Sequence, residues 1–196
     1  FKLPPMGEII NSYKEGWSIF VSSLAVNLYT ATNVVVLGML TNNVIVGYYS
    51  AADKLITCVR RGIYAVSDAI YPFISKMMKD DIPKGLQFIK KQLLLYLVVG
   101  LVGCTSLFFF SDTIVKLLFG ADYDLTVDVL RILSFVPLAV AISTVFGEET
   151  MLPLNMNSAY SRTLVLAALF SLLSIFPLCY MSVSYTHLRA HETVLD

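Results

Sequence analysis

LLLYLVVGLVGCTSLFFF, residues 93–110, decides the fold. No charge interrupts this run, and a bilayer core about 30 Å thick is spanned by a helix of about 20 mostly apolar residues. Four further stretches have the same character, with more interruptions. Trp17 to Leu40 carries an interfacial aromatic at its start and the polar residues Asn27, Thr30 and Asn33 along its length. Val44 to Ile74 is the least apolar. Val129 to Phe146 and Thr163 to Val183 each hold a proline, Pro137 and Pro177, which predicts a local bend. The chain therefore reads as all-α, a polytopic membrane helix bundle of about five transmembrane helices.

Composition agrees. Of 196 residues 57% are apolar and 14% charged, where a soluble domain carries about 25% charged residues. The 14 Lys and Arg balance the 14 Asp and Glu, so no basic field exists to attract nucleic acid. With 12 Phe and 11 Tyr the chain is too aromatic to be disordered. Cys58, Cys104 and Cys179 lie far apart within apolar stretches and read as small core residues. The sequence starts at Phe1 with no recognisable leader and reads as a fragment.

Loop charge gives a direction. Lys76, Lys79, Lys84, Lys90 and Lys91 crowd residues 75–92, whereas Thr41-Asn42-Asn43 has no charge and residues 111–128 hold Asp112, Asp122, Asp124 and Asp128 against Lys116. Basic loops stay in the cytoplasm. Residues 1–16, a cytoplasmic lead-in, and 75–92 are thus expected inside, with the turn and the acidic loop outside. Residues 147–162 then fall inside, although Glu148 and Glu149 outnumber Arg162.

After the membrane region of residues 17–183, the tail SYTHLRAHETVLD (184–196) changes composition abruptly. It is similar to a recurrent tail on translated metagenomic fragments and reads as non-native. His187 and His191, four apart, can share a helix face, but no third metal ligand accompanies them, so no metal site is assigned.

The informative chemistry lies in the second span. At about 100° per residue, Thr57, Arg60, Tyr64, Ser67 and Tyr71 all fall within about 40° of Asp53, with Lys54, Arg61 and Asp68 beside them. Leu55, Cys58, Val59, Gly62, Val66 and Ala69 form the opposite side. A central Arg costs about 2.5–3.5 kcal/mol on insertion scales. Arg60 and Arg61 are therefore expected to meet a water-filled cavity or partner charges, with Asp53 and Asp68 as local candidates. An ion-paired bundle interior is the alternative.

The first span repeats this in milder form: Ser23, Asn27 and Thr30 share one edge, and Ser22, Tyr29 and Asn33 the next. These residues suit either a cavity wall or hydrogen bonds between packed helices. Gly100 and Gly103 suit close helix packing. No nucleophile and base, phosphate loop or ligand cluster points to an enzyme, a cofactor or a metal.

NLYTATNVVVLGMLTNNVIVGYYSAADKL from Asn27, AIYPFISKM from Ala69, FGADY from Phe119, VLRILSF from Val129 and MLPLNMN from Met151 resemble bacterial polysaccharide flippases. These form the O-antigen type of the multidrug/oligosaccharidyl-lipid/polysaccharide exporter superfamily, and the resemblance covers about residues 2–183. It implies a transporter of about twelve helices in two lobes, of which this chain is most of the second. It further implies a multi-pass protein of the bacterial inner membrane that turns an undecaprenyl-diphosphate-linked oligosaccharide to the periplasmic leaflet by alternating access. Partners would be that lipid-linked oligosaccharide, the bilayer and glycan polymerase machinery. By their place in the motif, Arg60 and Arg61 are candidates for the cavity surface. The missing first lobe and twelfth helix depart from the pattern.

Two alternatives remain at this stage. A drug or cation antiporter of the same superfamily should have an acidic, aromatic cavity, which the two central arginines oppose. A membrane enzyme of glycan assembly should carry a large outer loop with catalytic residues, and the outer loops here are short.

Overall fold

The computed structural model describes residues 6–120 and 123–192, giving the backbone alone for 176–192 and for parts of 8–29. Every regular element is helical: α1 (Met6–Leu40), α2 (Asn43–Asp80), α3 (Ile82–Phe119), α4 (Asp124–Leu133), α5 (Val136–Phe146), a π-helix η1 (Gly147–Met151) and α6 (Asn157–Glu192). The protein is an all-α polytopic membrane bundle. Four segments, Ser23–Leu40, Ile82–Phe119, Asp124–Met151 and Asn157–Ile175, are long and apolar enough to cross a membrane. The charges of its polar stripe keep α2 out of that set.

Residue chemistry sets the boundaries. Asn42 caps α2, its Oδ1 accepting from the backbone N–H groups of Val44 and Ile45 at 3.1 and 3.0 Å. Asp81 caps α3 in the same way through Lys84 N–H at 3.2 Å, and its side chain meets Lys84 Nζ at 2.9 Å. The helices outrun the apolar runs that announce them. Most of the lysine-rich stretch 75–92 is helix on either side of Asp81, and residues 111–119 of the acidic stretch complete α3. At about 1.5 Å per residue, 38-residue α3 extends well past a bilayer core of about 30 Å.

Proline acts where its ring meets the helix ladder. α4 and α5 part at Ser134-Phe135, just ahead of Pro137. Around Pro177, in contrast, α6 runs on as one helix. Beyond η1 the chain turns at Pro153, and Asn155 adopts a left-handed φ of 59° that an Asn side chain tolerates.

The described chain forms two compact units, residues 1–46 with 157–196, and residues 47–156. In the first, α1 packs against α6. In the second, Ala52 and Ile56 of α2 pack with Val115 of α3 and Val127 and Leu130 of α4. A second cluster joins Ile74, Met78, Ile89 and Val145. Gly100 allows close approach of α3 to α5, since a Cβ there would stand 2.6 Å from Leu138 Cδ1, whereas nothing lies near Gly103. Of the cysteines, Cys104 is buried as expected but Cys58 is exposed, because it faces away from both clusters, and the side chain of Cys179 lies outside the described residues.

The distribution of polarity is that of a membrane protein. Leu117, Phe109, Leu173 and Phe170 are exposed, while Ser67, Gln92, Ser111, Thr126, Ser134 and Glu149 are buried. In lipid, helices gain little from hiding Leu and are held by packing and by polar contacts between them.

Two outcomes follow for the full-length protein. Leu130→Ala, at a position with no exposure, should lower unfolding stability in detergent by about 2–5 kcal/mol, whereas Leu117→Ala on the outer surface should change it by less than about 0.5 kcal/mol. The hydrogen bond from Lys84 holds the Asp81 carboxyl below the usual carboxylate range. The cap is therefore intact above the ordinary Asp value and is lost as pH falls through the depressed one. Amide exchange at Lys84 should stay slow down to acid pH in the native chain and be fast at every pH in Asp81→Ala.

Candidate functional site

The polar stripe of α2 lies in the 47–156 unit. Its centre is Arg60. One guanidinium nitrogen, Nη2, donates to Thr57 Oγ1 at 2.6 Å and stands 3.6 Å from Asp53 Oδ1. All three side chains are part-exposed. Arg60 Nε is buried and has no hydrogen-bond partner among the described residues. Arginine carries five N–H donors, so one short bond and one long ion pair leave most of its capacity open.

Helical spacing explains the pairing. Thr57 and Asp53 lie three and seven residues before Arg60, on the same face. Asp68, the other expected local partner, makes no ion pair among the described residues; it lies two turns beyond Arg61, about 10 Å along the axis, and is exposed. Lys54, Arg61 and Tyr64 are exposed as well. The stripe thus has an inner edge, tied down at Arg60, and an outer edge where Arg61 has no ion pair among the described residues.

From Ile56 onward the buried residues of α2 fall on this inner edge, whereas Ala51 and Ala52, also buried, lie about 160° and 100° from Asp53. Ile56, Ser67, Ile74 and Met78 are buried, all within about 60° of Asp53 on the helical wheel. Of the opposite side, Cys58, Val59, Gly62, Val66 and Ala69 are exposed on this unit, whereas Leu55 is half-buried against the cluster around Ala52 and Ile56. Val59, Gly62 and Val66 line an apolar hollow of about 400 Å³ against Val99 and Gly100 of α3 and Ala141 of α5. With almost no polar lining, that hollow offers no chemistry.

In the other unit, Asn27 and Thr30 are exposed and Asn33 is half-buried. Thr30 Oγ1 donates to Val26 O at 2.8 Å, so its hydroxyl is satisfied within its own helix. The side chains of Ser22, Tyr29, His187 and His191 lie outside the described residues. Among the described residues no group of three His, Cys, Asp or Glu side chains is placed to hold a metal ion.

Residues 1–78 match the polysaccharide biosynthesis protein family. Two proteins named "Putative O-antigen transporter" align with nearly the whole chain. That of Escherichia coli (strain K12) is 34% identical over 167 residues, which is 85% of this chain and 40% of that protein. That of Shigella dysenteriae is 28% identical over 172 residues, 88% and 43% respectively. The chain is thus similar to these two proteins over most of its own length. It spans about two-fifths of their length. No solved structure matches it. The family match takes in the α2 stripe from Asp53 to Tyr71, so Arg60, Thr57 and Asp53 fall in the part of the chain that matches.

One polar cluster escapes a reading from hydropathy. Glu149, expected in a loop of residues 147–162, is fully buried in η1, next to Ser67 of α2 and Gln92 of α3. The available signal is the pair Glu148-Glu149 abutting the apolar run that ends at Phe146, together with Gln92 between two lysines and an uncharged span.

In the full-length protein Thr57→Val should cost about 0.6–1.5 kcal/mol of unfolding stability through the lost bond to Arg60, and Cys58→Val, one position along and turned away, should cost almost nothing. Chemical denaturation in detergent measures both.

Proposed function

We propose that this chain is part of a flippase of the bacterial inner membrane that carries an undecaprenyl-diphosphate-linked oligosaccharide from the cytoplasmic to the periplasmic leaflet by alternating access. Loop charge supports an orientation with the α2–α3 connection inside and the α1–α2 connection outside. The cargo is an anionic lipid carrier, and glycan polymerase machinery receives the product. No catalytic residue or cofactor enters this reading.

The observation that carries it is the guanidinium of Arg60, held at mid-helix by Thr57 and Asp53 with its Nε still unpartnered, next to the exposed Arg61, which has no ion pair among the described residues. A diphosphate offers several anionic oxygens, and the guanidinium fork binds such oxygens two at a time. Asp53 and Thr57 orient Arg60, and Arg61, Lys54 and Tyr64 supply the outer edge of the same surface. Asp68 is proposed to contact sugar hydroxyls, for which a singly charged partner suffices; Asn27, Thr30 and Asn33 of α1 belong to the other unit and are proposed separately as cavity-lining residues of that helix. An acidic, cation-exporting cavity fits this set less well, because two guanidinium groups would repel the cargo.

In a strain lacking its own flippase, the full-length protein with Arg60→Ala or Arg61→Ala should display roughly tenfold less O-antigen at unchanged membrane abundance, corresponding to loss of one charge-assisted contact. Arg60→Lys should recover only part of the loss, since it keeps the charge without the fork. Full display by both alanine variants overturns the proposal.

A further inference from the structure

The 47–156 unit encloses a carboxyl group that the transport reading does not use. Glu149 has no solvent exposure, and neither of its carboxyl oxygens has a hydrogen-bond partner among the described residues. Gln92 is buried too, and both its amide oxygen and its amide nitrogen are unpartnered, as is the Tyr96 hydroxyl. Ser67 and Gln92 are the side chains set against the carboxyl group, and Tyr96 stands next to Gln92. They approach closely without reaching hydrogen-bonding geometry. Tyr96 packs against an apolar cluster in which Ile74, Met78, Ile89 and Val145 are buried, with Ile70 and Leu93 also against it.

An ionised carboxylate in this position has no counter-charge, because no Lys, Arg or His among the described residues pairs with it. Such burial costs several kcal/mol, and a proton or another cation has to offset it. The hydrogen-bond inventory decides between them. A carboxylate only accepts, so it can take Gln92 Nε2–H but leaves Gln92 Oε1 facing negative charge. A carboxylic acid donates through its O–H and accepts at its carbonyl. It therefore matches the primary amide atom for atom, O–H to Oε1 and Nε2–H to carbonyl oxygen, satisfying all four orphaned atoms at once. A metal ion would need several oxygen ligands, and here one amide edge is a donor.

The backbone adds a second observation. η1 is a π-helix, a rare widened turn that is frequent at functional sites. Thr150 Oγ1 stabilises it by donating to Val145 O, five residues back, at 2.7 Å. The widened turn carries Glu149 inward, where a continued α-helix after Phe146 would rotate it elsewhere.

We propose that Glu149 is a proton-binding site: in this packing it holds a proton taken from water, and the resulting acid pairs with the Gln92 amide to join η1 to α3. One O–H bond forms on uptake, with the carboxylate charge neutralised, and the same bond breaks to water on release. Ser67 from α2 and Tyr96 from α3 are the neighbouring groups with exchangeable protons, and Tyr96 is the one that also titrates. Releasing the proton leaves a bare charge among Ile74, Val145 and Ile70, so release requires α2, α3 and η1 to separate enough to admit water.

Infrared difference spectroscopy on the full-length protein in lipid vesicles at pH 7 tests this without reference to transport. An ordinary Glu, with a pKa of about 4.3, is fully ionised there. The native protein should show a carboxylic C=O band that shifts on deuteration and is absent in Glu149→Gln, a variant that keeps the amide-matching shape and should fold. In Gln92→Met the band should remain and move to the higher frequency of an acid without a hydrogen-bond partner. The proposal is overturned if no carboxylic band at pH 7 depends on Glu149, if Gln92→Met leaves the band where it was, or if replacing choline by sodium removes it, which would assign the site to a metal ion.

Discussion

A polar group placed inside an apolar helix must find a partner there, because lipid supplies none. This constraint orders most of what the chain does with its non-apolar residues. Hydroxyls are satisfied most cheaply, one turn back on their own backbone: Thr30, Thr32 and Thr105 each donate to the carbonyl four residues earlier. Arg60 is satisfied in part, by two side chains of its own helix. Glu149 and Gln92 are buried, and their polar atoms, like the enclosed hydroxyl of half-buried Tyr96, have no hydrogen-bond partner among the described residues. The progression from closed to open marks where the protein keeps capacity for something other than itself.

Two arginines adjacent in sequence thereby acquire different roles. Consecutive helical positions differ by about 100°, so Arg60 turns toward the packing face while Arg61 turns out. The first is pre-oriented by Thr57 and Asp53, which lowers the entropy lost when it binds an anion. The second is an exposed charge on a long stem.

The legible parts of the fold were those governed by hydropathy and backbone chemistry. Residues 93–110 gave a helix, Pro137 a break, and Asn42 a turn. What escaped was governed by tertiary packing. Charged flanks such as Lys90 and Lys91 do not end a helix that continues past the bilayer, so α2 and α3 proved longer than their apolar cores. The α2 wheel grouped Arg60 with Asp53, which stand 3.6 Å apart, but Cys58, expected as a small core residue, is exposed, because in lipid an apolar side chain gains little from being buried. Glu149 was invisible because its burial depends on a π-turn, and neighbouring acids after an apolar run look like a solvated loop until the backbone is seen to turn them inward.

Water at mid-helix is the central claim, and cysteine accessibility measures it most directly. In the full-length protein with Cys58, Cys104 and Cys179 replaced by Ala, single cysteines at positions 60, 61 and 117 are exposed to a charged, membrane-impermeant thiol reagent in sealed vesicles of either orientation. Positions 60 and 61 should react within minutes from at least one side, protected by a diphosphate lipid, while position 117 stays inert. Inert thiols at both 60 and 61 from both sides, in protein that is folded and inserted, would contradict the account.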